Sequence, residues 1–201
     1  MSIGTLQEHG SDPGRLTPAD VARSGTLVDV TPGERTREAC AKHGTAAVVT
    51  FCADVLTGGP WDGARFAWIA DASAHREEWL ANPVNHYWPR VWAARTFLYG
   101  WHPDAASAVI TGLSDEAWRV REMCAKVVRL RELGEAADVL STLVDDSTVR
   151  VRLAAIRALT VVGEVEHAAM VATAKDDPES TVRVAVGAAL RRMAERLDRP
   201  L

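Results

Sequence analysis

The residues that could do chemistry are concentrated between positions 75 and 118 of this 201-residue chain. Three histidines in this stretch have carboxylates nearby in the sequence, and a histidine paired with a carboxylate can act as a general acid or base. No nucleophile motif, Gly-rich phosphate loop or pair of carboxylates accompanies them. We therefore predict surface histidines and no catalytic residue. The residues concerned are His75, His86 and His102, with Glu77, Glu78 and Asp104.

Cysteine and histidine spacing does not indicate a metal site. Cys40 and His43 are three residues apart on a predicted helix and Cys52 is distant, but no fourth ligand follows at a spacing that zinc sites use. We therefore predict no metal and no cofactor. The three scattered cysteines form no disulfide framework, which favours a reducing cytoplasm.

Aromatic residues form the densest cluster. All seven tryptophans fall between Trp61 and Trp118, and the richest run is residues 85–92. If that run is helical, Trp88 and Trp92 lie on one side, away from the core stripe of the same helix. They are then either an aromatic seam covered by the N-terminal region or part of a binding surface, since Trp, Tyr and Arg are favoured interface anchors. The candidate binding patch comprises His86, Tyr87, Trp88, Arg90, Trp92, Arg95, Trp101, His102 and Trp118.

The elements that must position this patch follow a 31-residue period. Four dipeptides recur at this constant spacing: Pro89-Arg90, Val120-Arg121, Val151-Arg152 and Val182-Arg183. Mostly small or apolar residues recur four, seven and eight positions after the first member of each dipeptide, and this spacing indicates one face of an α-helix. A fainter apolar stripe follows and predicts a second helix in each unit. A helix pair this thin cannot bury its own apolar face, so the pairs must stack.

Arginines and aspartates share this period. Asp115, Asp146 and Asp177 each stand six residues before an arginine, so each could bond that arginine and tie one turn to the next. The alternative is that the arginines bind a row of phosphates, but the recurring aspartates favour the structural role. The first copy differs because Val84 stands where the aspartate is expected, so Arg90 is predicted to lack such a partner. The arginines of this ladder are Arg90, Arg121, Arg152 and Arg183.

The later copies resemble HEAT-like repeats, in particular the short type named after phycobilisome lyases. The resemblance rests on Val120-Arg121, Val151-Arg152 and Val182-Arg183, with the small or apolar residues that follow and the aspartate that precedes each. It covers about residues 85–198 and implies an all-α fold, a right-handed α-solenoid of helix pairs with a helical N-terminal cap. Such repeats serve in adaptors, lyase subunits and DNA glycosylases, so the resemblance implies architecture rather than activity. The units are expected at 85–115, 116–146, 147–177 and, as a terminal cap helix, 178–198.

Residues 1–84 lack this register. Residues 1–16 are polar and expected to be flexible, and residues 17–84 are expected to be helical, as diverged repeats or as a cap on the stack. One helix should begin at Thr31-Pro32, where Glu34 can complete a capping box, and end near His43. Further helices are expected over residues 17–23, 45–57, 63–71 and 74–81.

Charge and hydropathy limit the partners. The net charge is −4, and residues 114–201 carry 14 Lys/Arg against 15 Asp/Glu, so neither half of the chain is strongly basic. The chain has no signal-peptide pattern and no apolar run of membrane-spanning length. We therefore expect neither a nucleic-acid nor a membrane partner, and a cytoplasmic location. The predicted second helices, which are nearly free of Lys and Arg, are Ala105–Leu113, Ala136–Val144 and His167–Ala174.

Together these features predict a non-catalytic HEAT-repeat scaffold that binds a partner protein. The alternative, implied by the resemblance, is a HEAT-like DNA glycosylase or lyase-type subunit with a site near the aromatic residues 86–102. Glycosylases of this kind use a concave face with basic and aromatic residues around an acid, and second helices without Lys or Arg argue against that reading. Oligomeric state is not indicated by the sequence.

Overall fold

The computed structural model describes residues 30–61, 63–70 and 74–200. Within these ranges the chain has eleven α-helices, short 3₁₀ turns and no β-strand, so the prediction of an all-α fold is confirmed. The segments expected to be flexible (1–16) and helical (17–23) lie outside the described residues. The helices are α1 (Pro32–His43), α2 (Thr45–Leu56), α3 (Gly63–Phe66), α4 (Ala74–Leu80), α5 (Trp88–Thr96), α6 (Ala106–Gly112), α7 (Trp118–Arg131), α8 (Ala137–Thr142), α9 (Val149–Val162), α10 (Val165–Thr173) and α11 (Ser180–Leu197).

The first helix begins where its capping residues predict, whereas the third is shorter than expected. The backbone N–H of Glu34 donates to the Thr31 hydroxyl (3.3 Å) and the backbone N–H of Thr31 donates to the Glu34 carboxylate (2.9 Å), so the predicted capping box of α1 is confirmed. The helix predicted over 63–71 is shorter than expected, because α3 ends at Phe66. There the N–H of Ile69 donates to the Phe66 carbonyl three residues earlier (3.0 Å), which is tighter than α-helical bonding.

Helices α5, α7, α9 and α11 carry the 31-residue period. Helices α7, α9 and α11 begin at Trp118, Val149 and Ser180, each one period after the last. Neighbours in this series pack together, α5 against α7, α7 against α9 and α9 against α11. The positions predicted to face the core are buried, apart from Leu190 in α11, which is half-buried: Val120, Cys124, Val127 and Val128 in α7; Val151, Ala155, Ala158 and Leu159 in α9; Val182, Val186 and Ala189 in α11.

The second helices of the units are short and end in 3₁₀ turns. The helix predicted over Ala136–Val144 is the six-residue α8, flanked by 3₁₀ turns at Gly134–Ala136 and Leu143–Asp145. Such turns satisfy end groups where a helix has little room. Space beside α6 is similarly limited, since a Cβ on Gly112 would lie 2.5 Å from the Sγ of Cys124 in α7.

One core joins the N-terminal helices to those that carry the period. Helix α2 packs against α5 and α6, and α1 packs against α2 and α5. The buried apolar residues form a single cluster that extends along the chain from Ala39 to Met193. The helices before residue 85 therefore share the core of the later ones, although they lack the 31-residue register.

Candidate functional site

The first candidate, the arginine ladder, is a set of turn-to-turn bonds. Arg121 Nε donates to Asp146 Oδ2 (2.7 Å) and its Nη2 donates to Asp146 Oδ1 (3.0 Å), a bidentate pair. The remaining nitrogen, Nη1, donates to the backbone carbonyl of Asp115 (2.8 Å). The Arg121 guanidinium therefore bonds a carboxylate in the turn before α9 and a backbone carbonyl in the turn before α7.

Arg152 repeats this arrangement, whereas the two ends of the ladder differ from it. Arg90 pairs with Asp115 (Nε to Oδ2, 2.7 Å), so the prediction that Arg90 has no aspartate partner is wrong. The carboxylate partner of each paired arginine is the aspartate of the following turn, because the side chain extends toward the turn that precedes the next long helix. Arg183 is the exception, since within the described residues it bonds only the carbonyls of Asp177 and Pro178.

Asp177 shows how tightly the ladder is bonded. Its carboxylate accepts from Arg152 Nε (2.7 Å) and Nη2 (2.9 Å), and from the backbone N–H of Glu179 (2.8 Å). The hydrogen bond from Arg152 is the main cause that lowers the pKa of Asp177, and the same bond raises the pKa of Arg152. Because these donors are already engaged inside the protein, the ladder does not present a free row of cations to phosphates.

The aromatic patch divides into a buried seam and an exposed rim. Trp92 is buried (5% exposed) against Phe66 (ring centroids 5.6 Å apart) and Trp79 (6.1 Å), residues that precede the 31-residue units. Trp88 is half-buried and stacks on Trp92 (5.9 Å) and on Tyr87 (5.3 Å). Trp92 is therefore part of a seam between the N-terminal helices and α5, while Tyr87 and Trp88 reach the surface.

Arg119 joins this surface to the next helix. Its guanidinium carbon lies 4.2 Å from the ring centre of Trp118, 5.3 Å from that of Trp88 and 5.8 Å from that of Tyr87. A cation over an aromatic face is attracted by the ring quadrupole, so Arg119 holds rings from two helices together. We call Tyr87, Trp88, Trp118 and Arg119 the aromatic rim.

Other predicted members of the patch lie elsewhere. Trp101 packs edge-on against Phe97 (6.0 Å) under Arg131, and its contacts include none of the rim residues. His102 Nδ1 lies 3.3 Å from Asp104 Oδ2, and His86 is exposed.

Two predicted arginines of the patch are also engaged elsewhere. Arg90 belongs to the ladder, while Arg95 Nη2 donates to the Ile69 carbonyl (3.5 Å) and burial lowers its pKa.

The side chain of His75 lies outside the described residues. Of the nine predicted patch residues, Tyr87, Trp88 and Trp118 meet in the rim and Trp92 lies beneath them.

A groove with basic walls continues from the rim. Arg150, whose guanidinium carbon lies 5.4 Å from the ring centre of Trp118, also lines a cavity of about 330 Å³ between α7 and α9. Glu122, the acid in its wall, is 7% exposed and accepts from Lys126 Nζ (2.8 Å) and Arg150 Nε (3.1 Å). We call this cavity the basic groove; its lining residues are Leu98, Glu122, Lys126, Arg129, Leu130, Arg150, Ala154 and Arg157.

The groove reflects a separation of charge between the helices. Helices α5, α7, α9 and α11 together hold fourteen Lys/Arg and two Glu, whereas α6, α8 and α10 hold no Lys or Arg. The turns hold most of the carboxylates, which is why a count along the sequence shows no basic region. The sequence did contain a signal for these cations, because Arg119 and Arg150 are one period apart, as are Lys126 and Arg157.

Neither a membrane-spanning helix nor a cluster of metal ligands occurs in the described part of the chain. No helix among the described residues is long and apolar enough to cross a membrane. Nor do three or more His, Cys, Asp or Glu side chains gather there as a metal site requires. Cys40, Cys52 and Cys124 are free thiols, and burial raises the pKa of Cys52 to about 12 and also raises the pKa of Cys124.

The candidate site is therefore the continuous surface formed by the aromatic rim and the basic groove, on the face where α5, α7 and α9 lie side by side. In comparisons with known proteins, no family model, curated protein or solved structure matches the chain.

Proposed function

We propose that the chain is a non-catalytic HEAT-like scaffold that binds a partner protein through the aromatic rim and the basic groove. The observation that carries this proposal is the rim itself, in which half-buried Trp and Tyr rings are held by an arginine at the surface. Trp, Tyr and Arg are the residues whose truncation most often costs binding energy at interfaces. A ring already fixed by its neighbours loses little conformational entropy when a partner covers it.

The proposed architecture is a right-handed α-solenoid over residues 85–198. Long helices that begin one period apart and pack in sequence support it, as do arginines that bond the turns on either side. Units stacked in this way present one surface made of several helices, which suits recognition of a partner. The free thiols fit a reducing cytoplasm, where we place the protein.

Site-specific photocrosslinking in the cells that make the protein tests this function. Benzoylphenylalanine in place of Tyr87 puts the reactive group in the rim; in place of Met170, which is exposed on α10 and lines neither rim nor groove, it is the matched control. We expect a discrete protein adduct from position 87 and none from position 170. No adduct at 87, or the same adducts from both positions, would contradict the proposal.

One observation favours a second function, that of a HEAT-like DNA glycosylase. Glu122 is a buried carboxylate in a basic wall close to aromatic rings, a combination that could hold DNA beside an acid. The same crosslinking experiment separates the two functions, because a nuclease-sensitive adduct at position 87 would favour the glycosylase. The bonds from Lys126 and Arg150 to Glu122 make the scaffold the better-supported function, since they already engage that carboxylate.

A further inference from the structure

The inference concerns the chemistry of the partner, and it rests on the proposed scaffold function. A second cavity, of about 220 Å³, lies beside the basic groove between α9 and α11. Arg157 lines both cavities, and Arg192 lines the second one. Arg129, Arg157 and Arg192 thus succeed one another across α7, α9 and α11.

These three arginines are available to a ligand. All three are exposed, and within the described residues none of them forms a salt bridge. Glu122, the acid that lines the basic groove, is already bonded to Lys126 and Arg150, and the second cavity has no acid in its lining. No salt bridge within the described residues therefore neutralises the charges of Arg129, Arg157 and Arg192.

Apolar side chains lie between the arginines. Leu130 is 52% exposed in the wall of the basic groove, and Val184 is 73% exposed in the wall of the second cavity. Exposed apolar groups next to cations favour a ligand that has both carboxylates and apolar side chains. A protein segment has both, whereas a nucleic-acid backbone offers phosphates alone along its edge.

We propose that the two cavities bind an acidic, extended segment of the partner protein, with its carboxylates on Arg129, Arg157 and Arg192 and its apolar side chains on Leu130 and Val184. Packed helix axes are about 8–10 Å apart. An extended chain in the polyproline II conformation has three residues per turn and rises about 3.1 Å per residue, so acidic residues three positions apart lie on one side about 9 Å apart and would meet arginines on successive helices. The segment should therefore carry Asp or Glu at every third position, with an apolar residue between.

The negative charge of the turns favours a peptide over a nucleic acid as the ligand. Exposed carboxylates stand just before α7, α9 and α11, at Glu116, Asp145 and Glu179. The whole chain has a net charge of −4. A duplex, which is wide and charged on all sides, would be repelled by these carboxylates, while a single extended strand can lie in the cavities between them.

Selection from a random peptide library displayed on phage tests the proposal on the full chain. We expect wild-type protein to enrich peptides with acidic residues three positions apart. The Arg157→Glu variant should weaken the best selected peptide on the order of tenfold or more at low salt, because a charge-assisted bond is lost and a repulsion is gained. Lys175→Glu, which reverses an exposed cation outside both cavities, is the matched control and should change the affinity little.

Arg157 is exposed and has no partner to lose in the described part of the protein, so the Arg157→Glu variant should fold. Equal midpoints of thermal unfolding for Arg157→Glu and Lys175→Glu would check this. Arg129→Glu provides a second test, at one end of the row formed by the three arginines. Peptides without acidic enrichment, or equal binding by Arg157→Glu and Lys175→Glu, would overturn the proposal. The proposal would also be overturned if a short DNA duplex or single strand displaced the peptide from the wild-type protein and failed to bind the Arg157→Glu variant. If these outcomes occur while the adduct at position 87 persists, the scaffold function stands and only the acidic segment fails.

Discussion

At the scale of single residues, the same arginine position has different roles along the chain. Arg152 is buried and bonds a carboxylate and a carbonyl of two different turns. Arg183, at the equivalent position of the next helix, is exposed and bonds carbonyls alone in the described part of the chain. The contribution of the residue to stability should follow its partners rather than its place in the repeat.

The pair Arg152→Ala and Arg183→Ala tests this difference. Removing Arg152 leaves the Asp177 carboxylate with the backbone N–H of Glu179 as its remaining donor among the described residues, so we expect a loss of about 2–3 kcal/mol in the free energy of unfolding. Removing Arg183 should cost about 1 kcal/mol, since neutral carbonyl acceptors lose their donor. Urea titration of both variants measures the two values. Similar losses would show that the bond to the Asp177 carboxylate is not the main contribution of Arg152 to stability.

Asp177 should make the stability depend on acid pH. Its folded-state pKa is lowered by the bonds from Arg152, so its contribution is fully present above the ordinary aspartate pKa of about 3.9 and is lost as the pH falls through the folded pKa. Because Asp177→Asn removes that contribution, we expect the stability difference between wild type and variant to shrink as the pH is lowered below about 4. Free energies of unfolding at a series of pH values give the result; a constant difference would contradict the assignment.

The partner of each ladder arginine could not be read from the sequence because of the period itself. In such a repeat, an aspartate that stands shortly before one arginine also follows the previous arginine at a fixed offset. The two offsets are distinguishable only at the ends of the series, at Arg90 and Arg183. Side-chain direction decides between them, and the structure shows that the later aspartate provides the carboxylate.

At the scale of elements, the close approach of α6 to α7 is the tightest packing of a glycine among the described residues. A methyl group on Gly112 would lie 2.5 Å from Cys124 Sγ and 3.2 Å from Leu56 Cδ1. Both neighbours are buried, so neither has free space into which it can move.

Gly112→Ala should therefore destabilise the protein although alanine favours helices. We expect a net loss of about 1–2 kcal/mol, because overpacking outweighs a propensity gain of less than about 1 kcal/mol. Gly134→Ala, where an added Cβ meets nothing within 4 Å, is the control and should change the stability by less than about 0.5 kcal/mol. Thermal or urea unfolding of both variants checks the difference, and a stabilised Gly112→Ala would show that α6 can shift.

The elements themselves were more predictable than the site they form. Helix periodicity located the long helices, and the capping box located α1, since both depend on local spacing. The boundaries of α3 and α8 were missed because both helices adjoin residues bonded three positions apart, which the spacing of apolar residues does not distinguish from an α-helix. The rim also required the fold, since Arg119 and Tyr87 are far apart in sequence and meet only when α5 and α7 pack together.

At the scale of the whole molecule, the continuous core predicts cooperative unfolding. Cys52 in α2 and Cys124 in α7 are both buried in one apolar cluster, on either side of the point where the 31-residue period begins. If the helices before residue 85 were a separate unit, the two thiols would become accessible at different free energies.

Thiol labelling of a Cys40→Ser variant distinguishes these cases. Burial keeps both remaining thiols protonated and shielded, as the raised pKa of each indicates, so labelling requires unfolding. We expect Cys52 and Cys124 to react with an alkylating reagent at the same rate across a range of urea concentrations. Much faster reaction of either thiol would indicate independent opening of its part of the chain.

The arginine bonds at the other ends of the long helices have a mechanical consequence. Arg131, at the end of α7, donates to the Phe97 carbonyl at the end of α5, and Arg196 in α11 donates to the Gly163 carbonyl after α9. Among the described residues no such bond joins the ends of α7 and α9, where the equivalent position is Val162. Those two helices are joined by side-chain bonds near their beginnings, through Arg121 and Arg150, and by the apolar core between them. Within the described residues, the helix pair that forms the basic groove is therefore fastened by arginine bonds at one end only, whereas the neighbouring pairs are fastened at both ends.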